Sequence, residues 1–212
     1  MSASFEILGT DHLRLVVGNA KQAAAFYQDR FGFAPVAYQG LETGCRDRAC
    51  HALRQGKIVL VLETPLIPDH PLNAHQIKHG DAVKDIAFRV DDARAAFAHT
   101  TERGATAVQA PTELTDAAGT VVVATIATYG DTTHTFVQRG AYDGPFLPGY
   151  EACAPLVPAR PVQLRYIDHV VGNQDEGQME QVASWYENVF GFHRIWTVDD
   201  KDVSTEFTAL RS

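Results

Sequence analysis

Ile167-Asp168-His169-Val170-Val171-Gly172-Asn173 repeats, with small changes, a run near the start of the chain, Asp11-His12-Leu13-Arg14-Leu15-Val16-Val17-Gly18-Asn19. Both are aliphatic, β-rich runs closed by Gly-Asn, the pattern of a strand that enters a turn. A string used twice in one chain marks a structural unit used more than once. A helical stretch follows each copy, at 20–30 and at 179–189. Aromatic pairs sit at matching offsets: Phe26-Tyr27 before Phe31-Gly32-Phe33, and Trp185-Tyr186 before Phe190-Gly191-Phe192. Gly32 and Gly191 stand where a left-handed residue ends a helix. The aromatics are read as packing groups that seat each helix on a sheet.

Working outward, three extended segments follow the first helix, at 34–39, 49–54 and 57–63. Arg54-Gln55-Gly56-Lys57 is a hairpin turn between the last two. Residues 83–139 repeat this order with weaker similarity. Asp85–Val90 is a strand, Asp91-Asp92 begins a helix over 93–103 that stops at Gly104, and strands follow at 106–110, 120–128 and 133–138. The fold class expected is α+β, built from tandem βαβββ modules, two complete and a third incomplete. The modules at 11–64 and 83–139 make an N-terminal domain over 1–140. A polar linker with Pro65, Pro68 and Pro71 joins them. A proline-rich linker covers 141–163, and 164–212 begins a further domain. In that last part a strand and a helix are followed by strands at 194–198 and 204–210, with one more strand still owed. An open sheet edge leaves backbone groups unpaired, so 164–212 is expected to be poorly stable alone and the chain to be part of a longer protein.

Composition sets bounds on function. Hydrophobic residues make up 45% of the 212 and charged residues 21%, values that suit a chain with a normal core. A net charge of -8 repels phosphate backbones and argues against nucleic acid as a partner. No apolar run is long enough to cross a bilayer as a helix, and Met1–Glu6 lacks the blocks of a signal peptide. No membrane role and a cytoplasmic location are the expectations. Cys45, Cys50 and Cys153 form no Cys-x-x-Cys pair, so reduced thiols are expected rather than disulfides or a thiolate zinc site.

Nine histidines are present. His70, His75 and His79 fall in the polar linker, where no expected strand or helix fixes their geometry, so a loose surface metal site is the weaker reading of them. His169 is read as mid-strand, buried and neutral, directly after Asp168. A buried neutral imidazole is a good metal ligand, and a neighbouring group can set its tautomer. Its repeat mate is His12.

At this point the residues become recognisable. The 167–173 string, Trp185-Tyr186, Phe190-Gly191-Phe192-His193-Arg194, Asp199-Asp200 and Thr205-Glu206-Phe207 resemble the 4-hydroxyphenylpyruvate dioxygenase family of the vicinal-oxygen-chelate (glyoxalase-like) superfamily. Gly130-Asp131-Thr132-Thr133-His134-Thr135-Phe136-Val137 is similar to that family's stretch before its interdomain linker. The resemblance covers 7–212. It implies a non-catalytic N-terminal domain and a C-terminal catalytic domain in which two histidines and a glutamate hold one Fe(II), leaving positions open. It implies that 4-hydroxyphenylpyruvate and O2 become homogentisate and CO2 in tyrosine catabolism, by oxidative decarboxylation, ring hydroxylation and side-chain migration. On this resemblance His169 is the first iron ligand, and Ser212 lines the substrate pocket. The second histidine and the glutamate lie in a module absent from this sequence. His12 and His134 match no ligand position and His193 is a packing residue. A homo-oligomer, dimer or tetramer, is implied for the full-length protein.

One imidazole gives no facial geometry, so the 212 residues alone are expected neither to hold Fe(II) tightly nor to turn over. Two readings compete. 4-Hydroxymandelate synthase resembles the same family and shares its substrate and iron site, although Phe192-His193-Arg194-Ile195-Trp196 leans to the ring-hydroxylating branch. A metal-free ligand-binding module of the superfamily would also repeat βαβββ units, without needing the 167–173 string. An extradiol catechol dioxygenase shares the module, but the linker and Thr205-Glu206-Phe207 argue against it.

Overall fold

The computed structural model describes residues 5–155, 158–198 and 209–211. The first unit runs β1 (Ile7–Val16), α1 (Ala20–Phe31), β2 (Ala34–Gln39), β3 (Arg48–Gln55) and β4 (Ile58–Pro65). A helix α2 (Leu72–His79) leads to β5 (Ala82–Val90), α3 (Ala93–Glu102), β6 (Ala107–Asp116), β7 (Gly119–Ala127) and β8 (Thr133–Gln138). Then come a short β9 (Glu151–Ala152), α4 (Met179–Phe190), β10 (Trp196–Val198) and β11 (Ala209–Arg211).

One mixed sheet holds nine strands in the order β6-β7-β8-β5-β1-β4-β3-β2-β9. In each half, the first strand lies parallel to the last: β1 with β4, and β5 with β8. The halves join through the antiparallel pair β1–β5. This mixed α+β curled sheet is the expected fold class.

Local chemistry sets the helix ends. The Asn19 side chain accepts from Gln22 N–H at the start of α1, and Asp92 accepts from Arg94 and Ala95 N–H at the start of α3. Such caps satisfy amides that have no partner within the helix. Gly32 and Gly191 end α1 and α4 with φ of 69° and 72°, a left-handed conformation that favours glycine.

The core follows strand alternation. Ile58, Leu60 and Leu62 of β4 face α1, packing with Val17, Ala20, Ala24, Phe33 and Leu53. Val59 and Val61 face the other way, against Ala37, Cys50, Ala52 and Phe146. A strand covered on both faces reads as a continuous apolar run. In the second half, Val90, Ala93, Ala96, Ala124, Ile126 and Phe136 form the α3-side core, and Val189 and Phe190 of α4 complete it. Each buried Val, Leu, Ile or Phe among these contributes about 1.5–3 kcal/mol through burial.

Three expectations need correction. The stretch between β4 and β5 is not simply a polar linker, because Leu72–His79 is helical. Pro71 sits at its N-cap, where a missing N–H does no harm. Second, 167–172 is not a strand: no ladder includes it, and Val170 and Val171 are exposed. Strand conformation needs a neighbouring strand to pair its backbone, and among the described residues none lies beside this segment. Third, the aromatics of α1 do not all seat the helix, since Phe26 and Phe31 are exposed and meet Tyr27 edge-on and tilted, respectively. Those of α4 do pack inward: Trp185, Tyr186 and Phe192 surround Phe190 on the second-half core.

The segment after residue 157 lies along the first unit. Lys57 N–H donates to Arg165 O at 2.7 Å, and Leu164 N–H donates to Gln55 Oε1 at 3.0 Å. Ile167 packs against the α1-side core.

Candidate functional site

The Asp-His pair is formed in both copies. Asp168 Oδ2 accepts from His169 Nδ1 at 2.7 Å, and Asp11 Oδ1 accepts from His12 Nδ1 at 2.8 Å. In each, the carboxylate orients the ring and leaves Nε2 as the nitrogen that can bind a metal. His169 is exposed, with 61% of its side chain open to solvent. The expected burial is thus absent: Ile167 packs against the α1-side core, but Asp168, His169, Val170 and Val171 are exposed and belong to no ladder among the described residues. Ser212, Asp199-Asp200 and Thr205-Glu206-Phe207 lie outside the described residues.

His12 sits on β1 inside the sheet, buried to 5%. Arg139 Nε and Nη2 donate to both oxygens of Asp11, each at 2.7 Å. The same guanidinium donates to Phe146 O and stands 5.3 Å from the Phe146 ring centre. Phe146 meets the His12 ring edge-on at 5.1 Å. Burial alone raises the Asp11 carboxyl, yet hydrogen bonds and charge from His12 and Arg139 hold it well below the usual carboxylate range. Here a fixed cation and an aromatic ring fill the space around the pair, so the local design is structural.

His134 on β8 is also a packing residue. Its Nδ1 donates to Ile86 O at 2.9 Å, and its Nε2 lies 2.7 Å from Tyr186 Oη. Burial pushes its pKa down, so the ring is neutral and Nε2 accepts from the Tyr186 hydroxyl. Thr128 Oγ1 lies 2.9 Å from the same hydroxyl. This chain of contacts ties α4 to the second half of the sheet.

A third cluster joins two of the linker histidines, the weaker metal reading of the sequence, to Asp131, a carboxylate that reading did not include. His75 and His79 occupy one face of α2, four residues apart, and Asp131 comes from the turn before β8. Asp131 Oδ1 lies 3.0 Å from His79 Nε2, and Asp131 Oδ2 lies 3.3 Å from His75 Nδ1. The His75 contact lacks hydrogen-bond geometry, and both ring nitrogens of this buried side chain are without a hydrogen-bond partner among the described residues. Such a buried polar group costs about 1–3 kcal/mol. Burial pushes the His75 pKa down, against the pull of Asp131. The signal available in the sequence was the i, i+4 spacing of His75 and His79 between Pro71 and Gly80. His70 stands apart, with Nε2 3.8 Å from Asp47 Oδ2.

The mixed sheet, with strand–helix–strand units returning each last strand beside the first, defines a protein of the glyoxalase-like, vicinal-oxygen-chelate class. Residues 6–145 match the family model described as hydroxyphenylpyruvate dioxygenase, HPPD, N-terminal, and the chain belongs to that family. The 4-hydroxyphenylpyruvate dioxygenase of Yarrowia lipolytica is 47% identical over 96% of this chain and 54% of its own length. That of Caenorhabditis elegans is 50% identical over 95% of this chain and 53% of its own. A triple mutant of 4-hydroxymandelate synthase from Streptomyces coelicolor superposes with a TM-score of 0.79 at 31% identity, covering 91% of this chain and 55% of that one. The chain spans about half the length of the curated relatives it matches.

Proposed function

We propose that this chain forms the N-terminal domain and the opening of the catalytic domain of a 4-hydroxyphenylpyruvate dioxygenase, which converts 4-hydroxyphenylpyruvate and O2 to homogentisate and CO2. The observation that carries the reading is identity of 47% and 50% to two dioxygenases over nearly the whole chain. The 4-hydroxymandelate synthase whose triple mutant has a solved structure is less similar, at 31%, which favours ring hydroxylation.

The reading needs Fe(II), and the described residues fit it in part. His169, with its Nδ1 held by Asp168, is a suitable imidazole ligand through Nε2. A two-histidine, one-carboxylate site needs two further ligands, and among the described residues none stands beside it. Bound iron supplies Lewis acidity and a route for O2 reduction coupled to 2-oxo-acid decarboxylation. The part played by this chain is to orient one ligand, to line the substrate pocket at Ser212, and to brace the catalytic domain through α4.

The test is expression of the reading frame through and past Ser212, with Fe(II), 4-hydroxyphenylpyruvate and O2. Homogentisate in the product mixture, and its loss in His169→Ala, are expected. 4-Hydroxymandelate as product moves the assignment to the synthase, and no product sinks both. Residues 1–212 alone are expected to show no turnover.

A further inference from the structure

We propose that His75, His79 and Asp131 form a binding site for a divalent transition metal of the zinc class, separate from the site to which His169 is assigned. The geometry is the first ground. Residues four apart on a helix share a face, and the two imidazole rings stand 4.6 Å apart between centres. The candidate ligand atoms all lie within 4.8 Å of one another. In a tetrahedral zinc shell, bond lengths of about 2.0–2.2 Å place ligand atoms about 3.3 Å apart. The contacts of Asp131 with His79 and His75, at 3.0 and 3.3 Å, already match that spacing.

The second ground is independent of the spacing. The His75 side chain is 96% buried, and both its ring nitrogens are without hydrogen-bond partners among the described residues. A metal on Nδ1 would satisfy the nitrogen that faces Asp131. His79 and Asp131 are each about a third exposed, so an ion has a route in and solvent can fill the fourth position.

The elements are also held in place. Gly80 N–H donates to Gln76 O at the end of α2, and Asp81 Oδ1 accepts from Gly18 N–H at 2.8 Å. The Asp131 turn is closed by Thr128 N–H donating to Thr132 O and Thr132 N–H donating to Tyr129 O. Lys84 donates to the Asp131 carbonyl, not to its carboxylate, which leaves both carboxylate oxygens for the histidines or a metal. The opposing reading is an ion pair that fastens α2 to the turn.

The experiment titrates the 212-residue chain with Zn(II) by calorimetry, and with Co(II) followed by visible absorption. One Zn(II) per chain is expected, with a tetrahedral Co(II) spectrum. His79→Ala and Asp131→Asn are each expected to weaken binding by at least about a hundredfold, since even partners that only orient a ligand account for about 10–100-fold. His169→Ala is expected to bind Zn(II) as the parent chain does, which separates this site from the proposed iron site. Far-UV circular dichroism checks that each variant is folded, and Asp131→Asn preserves side-chain shape. No binding by the parent chain, or binding unchanged in His79→Ala and Asp131→Asn, overturns the proposal.

Discussion

Asp11–His12 and Asp168–His169 are the same two residues at the same place in a repeated string, with the same carboxylate-to-Nδ1 bond. Their surroundings differ. The first pair has side chains 3% and 6% exposed and is clasped by Arg139 and Phe146. The second pair is 61% exposed at both residues. The difference teaches that the pair is a device for orienting an imidazole and does not by itself decide what the imidazole does. In the first copy a guanidinium satisfies the carboxylate and an aromatic ring closes the space, so the histidine is packing. In the second copy the ring is oriented and accessible, the state a ligand needs before its partners arrive.

The comparison breaks most readily at Arg139. Arg139→Met removes both 2.7 Å bonds to Asp11 and leaves a buried carboxylate without its cation. Unpairing a buried charge costs about 3–5 kcal/mol. Urea denaturation of the variant should show an unfolding free energy lowered by that amount. A loss below about 1 kcal/mol would mean that Asp11 is not charged and buried as described.

The next effect is on acid stability. The folded Asp11 carboxyl lies below its unfolded value, which is about 3.9. A group depressed in this way binds more protons when unfolded, so its contribution is complete above about pH 4 and is lost as pH falls toward the folded value. Asp11→Asn should therefore flatten the decline of stability below about pH 4, measured by thermal unfolding across the acid range.

A smaller effect concerns the helices after the two pairs. α1 begins at once, capped by Asn19, whereas α4 begins six residues after Asn173 without a side-chain cap. α4 is held from outside itself, by Phe190 in the core and by the Tyr186 hydroxyl between His134 and Thr128. Tyr186→Phe keeps the ring and removes that hydroxyl, at a cost of about 1 kcal/mol. Hydrogen exchange of α4 amides should rise in the variant while α1 amides stay as they are.

The same contrast explains what was legible in the sequence. Elements fixed by neighbours along the chain were readable: the Asp92 cap, the Gly32 and Gly191 stops, the Gly56 hairpin, and the apolar run of β4. What depended on distant partners was not. The apolar run 167–172 has the composition of a strand, but strand pairing is a property of two segments. α2 was hidden by Pro68, Pro71 and polar composition, because its one buried side chain is His75 and it carries no apolar stripe to read. The cluster at Asp131 brings together residues more than fifty positions apart, a proximity that needs β8 beside β5 and α2 laid against β1 and β5. The family resemblance was readable because it rests on short contiguous strings, most of them packing residues such as Trp185-Tyr186 and Phe190-Gly191-Phe192.

The smallest effect tests the second pair directly. Asp168→Asn removes the carboxylate from an exposed imidazole, and surface changes of this kind leave the unfolding midpoint unchanged. If His169 is a ligand, the same substitution acts elsewhere. In the polypeptide extended past Ser212, loss of the carboxylate that orients a metal-bound imidazole weakens metal affinity by about 10–100-fold. Fe(II) titration of that protein should show this weakening, with the urea midpoint unmoved. A destabilised protein with unchanged metal affinity would make Asp168–His169 a structural pair like its mate. The asymmetry between the copies would then be one of exposure and not of role.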